Sequence, residues 1–136
     1  LVQALSQFNC KFSLVSPLEL KLPSSVKIHI KENNLEYFQT TNIEEVIPNV
    51  DILYMTRIQK ERFSDPMDYE KIKNSYILKN DMLQNTKSNL RIMHPLPRVN
   101  EINEDVDDNK SAYYFQQALN GVYVRQALLT SILGLK

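Results

Sequence analysis

The sequence predicts an α/β fold with a mostly parallel sheet and helices flanking it, and three observations lead there. Short apolar runs alternate with helix-patterned stretches along the chain, the order that produces parallel strands joined by helical crossovers. At 136 residues with 43% hydrophobic side chains, the chain has the size and apolar content of one domain with a sizeable core. Only two glycines occur, Gly121 and Gly134. That count excludes the Gly-rich phosphate loops that open many nucleotide-binding α/β domains.

The elements follow in order. Leu1, Ala4, Leu5 and Phe8 set an apolar pattern that reads as a helix already under way, so the chain is expected to be a piece of something longer. Residues 12–15 read as a short buried strand, ended by Ser16-Pro17. Pro23-Ser24-Ser25 starts a helix, although residues 26–30 alternate with period two and also fit a strand. Asn33-Asn34 is a turn, and residues 35–39 form the next strand. Thr41-Asn42 followed by Glu44 and Glu45 has N-cap chemistry, so a short helix begins there and stops near Pro48.

Residues 51–55 form the clearest buried strand. A polar segment follows over residues 57–68, too charged to be core. Helical patterns return over residues 69–78 and 81–85. Residues 90–93 are a strand stopped by His94-Pro95-Leu96-Pro97, and residues 103–110 are acidic and solvated. A helical pattern then covers residues 112–135, with a break or bend expected at Asn120-Gly121. These assignments predict a three-layer, Rossmann-like domain. The last helix spreads its apolar positions (Val122, Val124, Ala127, Leu128, Leu129, Ile132 and Leu133) over more than one face. A surface helix carries a single stripe, so an absent partner surface is expected to cover this one.

Composition narrows the function. Sixteen basic and sixteen acidic side chains cancel, leaving no charge excess to attract nucleic acid or an anionic membrane. A small molecule or another protein is the expected partner. The lone cysteine, Cys10, has no internal disulfide partner and is expected to be a buried structural thiol. No apolar run reaches the roughly 20 residues of a membrane helix, no leader pattern is read at the start, and a cytoplasmic location is expected.

Two polar clusters sit directly after strands, where ligands of parallel α/β sheets bind. The first is Thr56-Arg57-Ile58-Gln59-Lys60-Glu61-Arg62. Arg57 offers a planar fork that stays charged and matches a carboxylate or phosphate. Gln59 adds a donor and an acceptor, and Glu61 can hold the guanidinium in place. From charge alone a solvated surface loop reads the same way. The second is His94-Pro95-Leu96-Pro97-Arg98, whose prolines stiffen the backbone and present the Pro95 and Leu96 carbonyls as rigid acceptors. A proline-stiffened turn capped by His94 is the alternative.

At these residues the sequence resembles a known family. Residues 51–62, with Arg57, Gln59, Glu61 and Arg62, resemble the aspartate-site strand and loop of aspartate carbamoyltransferases. So do Met93-His94-Pro95-Leu96-Pro97-Arg98-Val99 with Glu101-Ile102 behind them. Asp105 and Asp107, then Tyr114-Phe115-Gln116-Gln117-Ala118 with Asn120-Gly121 and Arg125-Gln126-Ala127-Leu128-Leu129, are similar to the family's C-terminal region. Leu1, Gln3, Ala4 and Leu5 look like the helix after its hinge. The resemblance spans the chain, although residues 16–40 carry little of it. Ornithine carbamoyltransferases share the fold but usually have Cys in place of Pro95 and lack the Arg-x-Gln pair.

The resemblance implies roles. Arg57 and Gln59 bind the aspartate carboxylates, and Glu61 and Glu101 orient Arg57. Leu96 and Pro97 face carbamoyl phosphate across a cis Leu96–Pro97 bond. Arg62 and Tyr69 belong to a mobile loop that closes two domains. Asn100 departs from the pattern, since many relatives carry Asp there and in some it pairs with the loop tyrosine. Residues 1–119 correspond to the aspartate-binding domain, and residues 120–136 to a helix packing on the carbamoyl-phosphate domain. That domain, with its Ser-Thr-Arg-Thr segment and catalytic Arg, His and Lys, is missing from this chain.

The implied activity forms N-carbamoyl-L-aspartate and phosphate from carbamoyl phosphate and L-aspartate, in de novo pyrimidine biosynthesis. It needs neither metal nor cofactor. The implied assembly is a homotrimer of full-length chains, with regulatory subunits in some cases, and the fragment alone is expected to be inactive. Two alternatives stay open: an ornithine carbamoyltransferase-like domain, and a non-catalytic α/β assembly module.

Overall fold

Strands in this chain are only three or four residues long, so each needs a partner directly beside it to satisfy its backbone. The computed structural model describes residues 1–60 and 63–135. Contacts divide the chain into two units, Leu1–Pro48 and the residues from Asn49 onward. In the first, the order is α1 (Val2–Leu5), β1 (Phe12–Val15), α2 (Ser24–Glu32) and β2 (Tyr37–Thr40). In the second it is β3 (Ile52–Tyr54), α3 (Pro66–Ile72), β4 (Arg91–Met93) and α4 (Tyr114–Ile132), with single 3-10 turns between them. Helices alternate with parallel strands, as the sequence predicts.

In the first unit β1 and β2 pair in parallel, with Phe12 opposite Tyr37 and Val15 opposite Thr40. A parallel pair requires a crossover, and α2 supplies it. The period-two reading of residues 26–30 loses to the helix because Pro23 stands immediately before Ser24, where a missing N–H costs nothing. Ile30 is fully buried in this unit, as are Ile47 and Val46 nearly so. Ser6 donates its hydroxyl to the Gln3 carbonyl at 2.8 Å, so it accepts from His29 Nε2, also at 2.8 Å. Cys10 is half-buried rather than buried. Its thiol donates to the Leu5 carbonyl at 3.2 Å, which holds it at the end of the first helical turn instead of in the core. The helix expected after Thr41 is two 3-10 turns, Ile43–Glu45 and Ile47–Asn49, and Asn42 caps the first through the Glu44 N–H.

In the second unit β3 and β4 pair in parallel, Ile52 with Arg91, Leu53 with Ile92 and Tyr54 with Met93. Ile92 is the centre of this unit. It is fully buried, its N–H donates to the Ser111 carbonyl at 2.8 Å, and its carbonyl accepts from Tyr113 N–H at 2.9 Å. The segment entering α4 thus extends the sheet beyond β4. A further parallel bridge joins Leu78 to Ile102. Around these lie Leu53, Leu90, Val106 and Tyr114, all buried.

Three expectations change here. Helix over residues 69–78 and 81–85 contracts to α3 and a 3-10 turn at Asn80–Leu83. The acidic stretch 103–110 is not merely solvated, since Val106 is fully buried within it. No break interrupts α4 at Asn120-Gly121. Asn120 Oδ1 accepts from Gln116 Nε2 at 2.9 Å and its amide donates to the Tyr113 hydroxyl at 3.2 Å, so its side chain bonds along the helix and leaves the backbone ladder intact. The expected boundary at 119/120 therefore falls inside one continuous helix. Among the described residues no helix is long and apolar enough to cross a membrane.

Truncating Ile92 to Ala should cost about 3 kcal/mol, the usual penalty for a fully buried branched side chain. Lys87→Ala, which removes an exposed ion pair with Asp51, should cost under about 1 kcal/mol. Urea unfolding of both variants checks this ordering, and equal losses would contradict it.

Candidate functional site

Parallel pairing of β3 and β4 sends both following loops off the same edge of the sheet. Met55 adds one more sheet bond, its N–H donating to the Met93 carbonyl at 2.9 Å. The chain then leaves the sheet without regular structure through Thr56 to Gln59. On the neighbouring strand His94 opens the second loop. Between them lies a cleft lined by Thr56, Arg57, Ile58 and Lys60 from the first loop and Val99, Asn100 and Glu101 from the second. Tyr69, Lys73 and Tyr76 complete it.

The last three come from α3 and the turn after it. Asp65 caps α3 by accepting the Met67 N–H at 2.8 Å, Pro66 fills the first turn, and Asp68 and Lys71 sit at the ends their charges favour. Tyr69 reaches the cleft from α3 itself, whereas Lys73 and Tyr76 reach it from the turn and the irregular segment that follow Ile72. The Tyr69 ring packs against Phe63 with centroids 5.9 Å apart. Glu70, 2.5 Å from the Lys73 ammonium, holds that lysine above its ordinary value.

Glu101 is the buried carboxylate of the cleft, only 5% exposed. Its Oε1 meets His94 Nε2 at 2.7 Å, and its Oε2 accepts the Val99 and Asn100 N–H groups at 3.2 and 3.1 Å. Burial alone pushes this carboxyl up. The N–H groups of Glu101 itself and Val99, then His94 and the Asn100 N–H, outweigh burial and bring it below the usual carboxylate value. His94 is buried too, 2% exposed. Its Nδ1 accepts the Leu96 N–H at 2.9 Å, which leaves Nε2 to carry the proton donated to Glu101. The His94 N–H in turn donates to Gln117 Oε1 on α4 at 2.9 Å.

Two residues beyond His94 the backbone turns sharply. Leu96 has φ of +44° and is followed by a cis bond to Pro97, the geometry implied by the resemblance. Arg98 then forms a bidentate pair with Asp107, Nη2 to Oδ2 at 2.6 Å and Nη1 to Oδ1. Asp107 Oδ1 also accepts the Tyr114 hydroxyl.

The structure thus gathers Arg57, Tyr69 and Glu101 in one cleft. Gln59 is exposed on the same loop but is not among the lining residues, and neither are Leu96, half-buried, and Pro97, exposed. Glu61 and Arg62, expected to orient Arg57 and to close the domains, lie outside the described residues. Asn100 bonds Asn74 through its side-chain amide. Lys73 and Tyr76 were not anticipated, and because both lie beyond the end of α3 no periodic signal marks them. His94 was read as a possible cap of its turn, which its bond to the Leu96 N–H matches, and Tyr114 only as a motif position, because nothing in a linear sequence shows that Glu101 and Asp107 fold back onto the loop. Among the described residues no group of three or more His, Cys, Asp or Glu is placed to hold a metal ion.

Comparison with known proteins matches residues 1–132 to the family described as aspartate/ornithine carbamoyltransferase, Asp/Orn binding domain. The aspartate carbamoyltransferase catalytic subunit of Bacteroides fragilis is 59% identical over 136 residues, covering 99% of this chain and 44% of that protein. The catalytic subunit of M. jannaschii aspartate transcarbamoylase superposes with a TM-score of 0.87 at 43% identity, over 98% of this chain and 43% of that one. Aspartate transcarbamoylase from Trypanosoma cruzi, solved in complex with carbamoyl phosphate and aspartate, superposes at 0.78 with 30% identity, over 88% of this chain and 40% of that one. The chain spans less than half the length of these relatives. They share the α/β fold that the sequence predicts.

Glu101 generates a pH prediction. Because folding holds its carboxyl below the ordinary 4.5, its contribution is complete above about pH 4.5 and is lost as pH falls through the lower folded value. Glu101→Gln keeps an acceptor for His94 but turns an NH2 toward two backbone N–H groups, and should cost about 2–3 kcal/mol near neutrality. The gap to the parent, read by urea unfolding, should narrow as pH is lowered toward about 3. A gap that stays constant over that range contradicts the assignment.

Proposed function

We propose that this chain, which belongs to the aspartate/ornithine carbamoyltransferase family, is the aspartate-binding half of an aspartate carbamoyltransferase. One observation carries the choice of aspartate over ornithine: the charge inventory of the cleft. Among its described lining residues are three cations, Arg57, Lys60 and Lys73, the last paired with Glu70, and one carboxylate, Glu101. That carboxylate is taken up by His94 and two backbone amides. A dicarboxylate meets complementary charge there, whereas the side-chain ammonium of ornithine meets like charge.

In this reading Arg57 binds a substrate carboxylate through its planar fork, with Gln59 as a second ligand. Glu61 is the residue assigned to orient Arg57, while Glu101, also expected in that role, has both oxygens held by His94 and the Val99 and Asn100 N–H groups. The Leu96 carbonyl and Pro97 face carbamoyl phosphate, and Arg62 and Tyr69 belong to the loop that helps close the two domains. The aspartate amine attacks the carbamoyl carbon, a C–N bond forms, the C–O bond to phosphate breaks, and one amine proton is lost. This half of the enzyme contributes positioning and the electrostatics of the bound dicarboxylate. The product, N-carbamoyl-L-aspartate, places the reaction in pyrimidine biosynthesis.

Catalysis then needs a carbamoyl-phosphate domain, which this reading assigns to the remaining length of the full protein. The outer surface of α4 supports that division, since Val124, Leu128 and Ile132 are each more than half exposed. Residues 120–136 are the segment proposed to pack on it. A cytoplasmic homotrimer of full-length chains belongs to the same reading and rests on family resemblance.

The full-length protein supplied with carbamoyl phosphate should carbamoylate aspartate and not ornithine. Turnover of ornithine alone, or of neither, contradicts the proposal, the latter favouring a non-catalytic assembly module. Losing a desolvated Arg–carboxylate contact costs about 2–5 kcal/mol. Arg57→Ala should therefore raise half-saturation for aspartate roughly 30-fold or more, and a near-normal value sinks the role of Arg57.

A further inference from the structure

The loop that carries Leu96 is held from two directions. Upstream, the Leu96 N–H is bonded to His94 Nδ1, and His94 is fixed by Glu101 and Gln117. Downstream, two residues past Leu96, the Arg98 guanidinium grips both oxygens of Asp107. Asp107 shares its Oδ1 with the hydroxyl of Tyr114, which is fully buried in the first turn of α4. Arg98 also lies over the Tyr114 ring, 5.7 Å from its centroid. None of Arg98, Asp107 and Tyr114 lines the cleft.

We propose that Arg98, Asp107 and Tyr114 form a clamp that positions the Leu96 carbonyl for the reacting carbamoyl group, a reading that rests on the substrate-facing role given to Leu96 above. Two physical points carry it. A leucine at φ +44° sits where an L side chain costs roughly 1–2 kcal/mol. Such a backbone persists only if its neighbours over-determine it. Second, a partly buried ion pair contributes little net stability compared with an apolar replacement. A bidentate fork does fix distance and plane. The arrangement therefore supplies direction more than stability. The phenol reinforces it by occupying one lone pair of Oδ1, which keeps Asp107 from rotating away from Arg98. These three are positioning residues that act through the loop and touch no substrate.

The test uses the full-length protein and three variants, Tyr114→Phe, Asp107→Asn and Arg98→Lys. Tyr114→Phe keeps the buried ring and removes only the hydroxyl. Misplacing a reacting group by about 1 Å costs up to roughly 100-fold, so kcat should fall about 10- to 100-fold in Asp107→Asn and Arg98→Lys. It should fall by a smaller but measurable factor in Tyr114→Phe. KM for aspartate should stay within about twofold in all three, because Arg57 stands on the other loop. Arg98→Lys keeps the charge and loses the fork, so a normal kcat there overturns the geometric argument. A normal kcat in Tyr114→Phe and Asp107→Asn, or losses confined to KM for aspartate, overturns the clamp. If Asp107→Asn fails to fold, the other two variants decide. A parent protein that carbamoylates aspartate while the variants match it refutes the clamp alone; a parent that does not carbamoylate aspartate refutes the functional reading beneath it.

Discussion

The in-register parallel pairing of β3 with β4 is the constraint on which the site depends. Parallel strands expose both carboxyl ends at one edge, so two loops nearly forty residues apart in sequence come to face one another. Neither loop makes a site by itself. Arg57 on an isolated strand end is an exposed arginine, and Glu101 on an isolated turn is a carboxylate that burial would drive toward neutrality. Pairing lets one loop supply cationic side chains to the cleft while the other supplies a rigid wall.

The wall owes its rigidity to polar atoms that are nearly all spoken for. Glu101 engages both oxygens, His94 both ring nitrogens and its backbone N–H, and Asp107 both oxygens. Buried polar groups in a low dielectric are costly when unpaired and strongly directional when paired. The networks face opposite ends of the same loop and both reach α4, through Gln117 and Tyr114. One helix therefore anchors the loop on its inner side and leaves a wide apolar surface outward. The β3-loop side of the cleft, by contrast, carries mostly exposed side chains, where a ligand can displace water and organise them.

Sequence patterns carried much of this. The strands at β3 and β4 were legible because each is an apolar run bounded by polar or proline-rich residues. The α/β class followed from alternation, and the two strand-end clusters followed from that class. Where reading failed, a tertiary contact outweighed a local signal. Asn120-Gly121 looks like a helix stop, yet Asn120 is satisfied by Gln116 and Tyr113. Residues 103–110 look solvated because acidic neighbours surround the single core residue Val106. Residues 69–78 look wholly helical, yet the chain leaves the helix after Ile72 and Leu78 bridges Ile102. Arg57 was visible as a candidate, but motif resemblance separated it from an ordinary surface arginine. The fold of Glu101 and Asp107 back onto the His94 loop was not legible, since Pro95 and Pro97 interrupt any helix or strand whose period could signal a contact.

In the function proposed for this chain, Arg57 receives the carboxylate of aspartate in this cleft. A crystal structure of the full-length protein soaked or co-crystallised with L-aspartate and carbamoyl phosphate addresses it directly. An aspartate carboxylate is expected within about 3 Å of the Arg57 guanidinium nitrogens, between the loop after β3 and the loop after β4. Aspartate bound elsewhere, or bound with Arg57 beyond about 4 Å from either carboxylate, contradicts it.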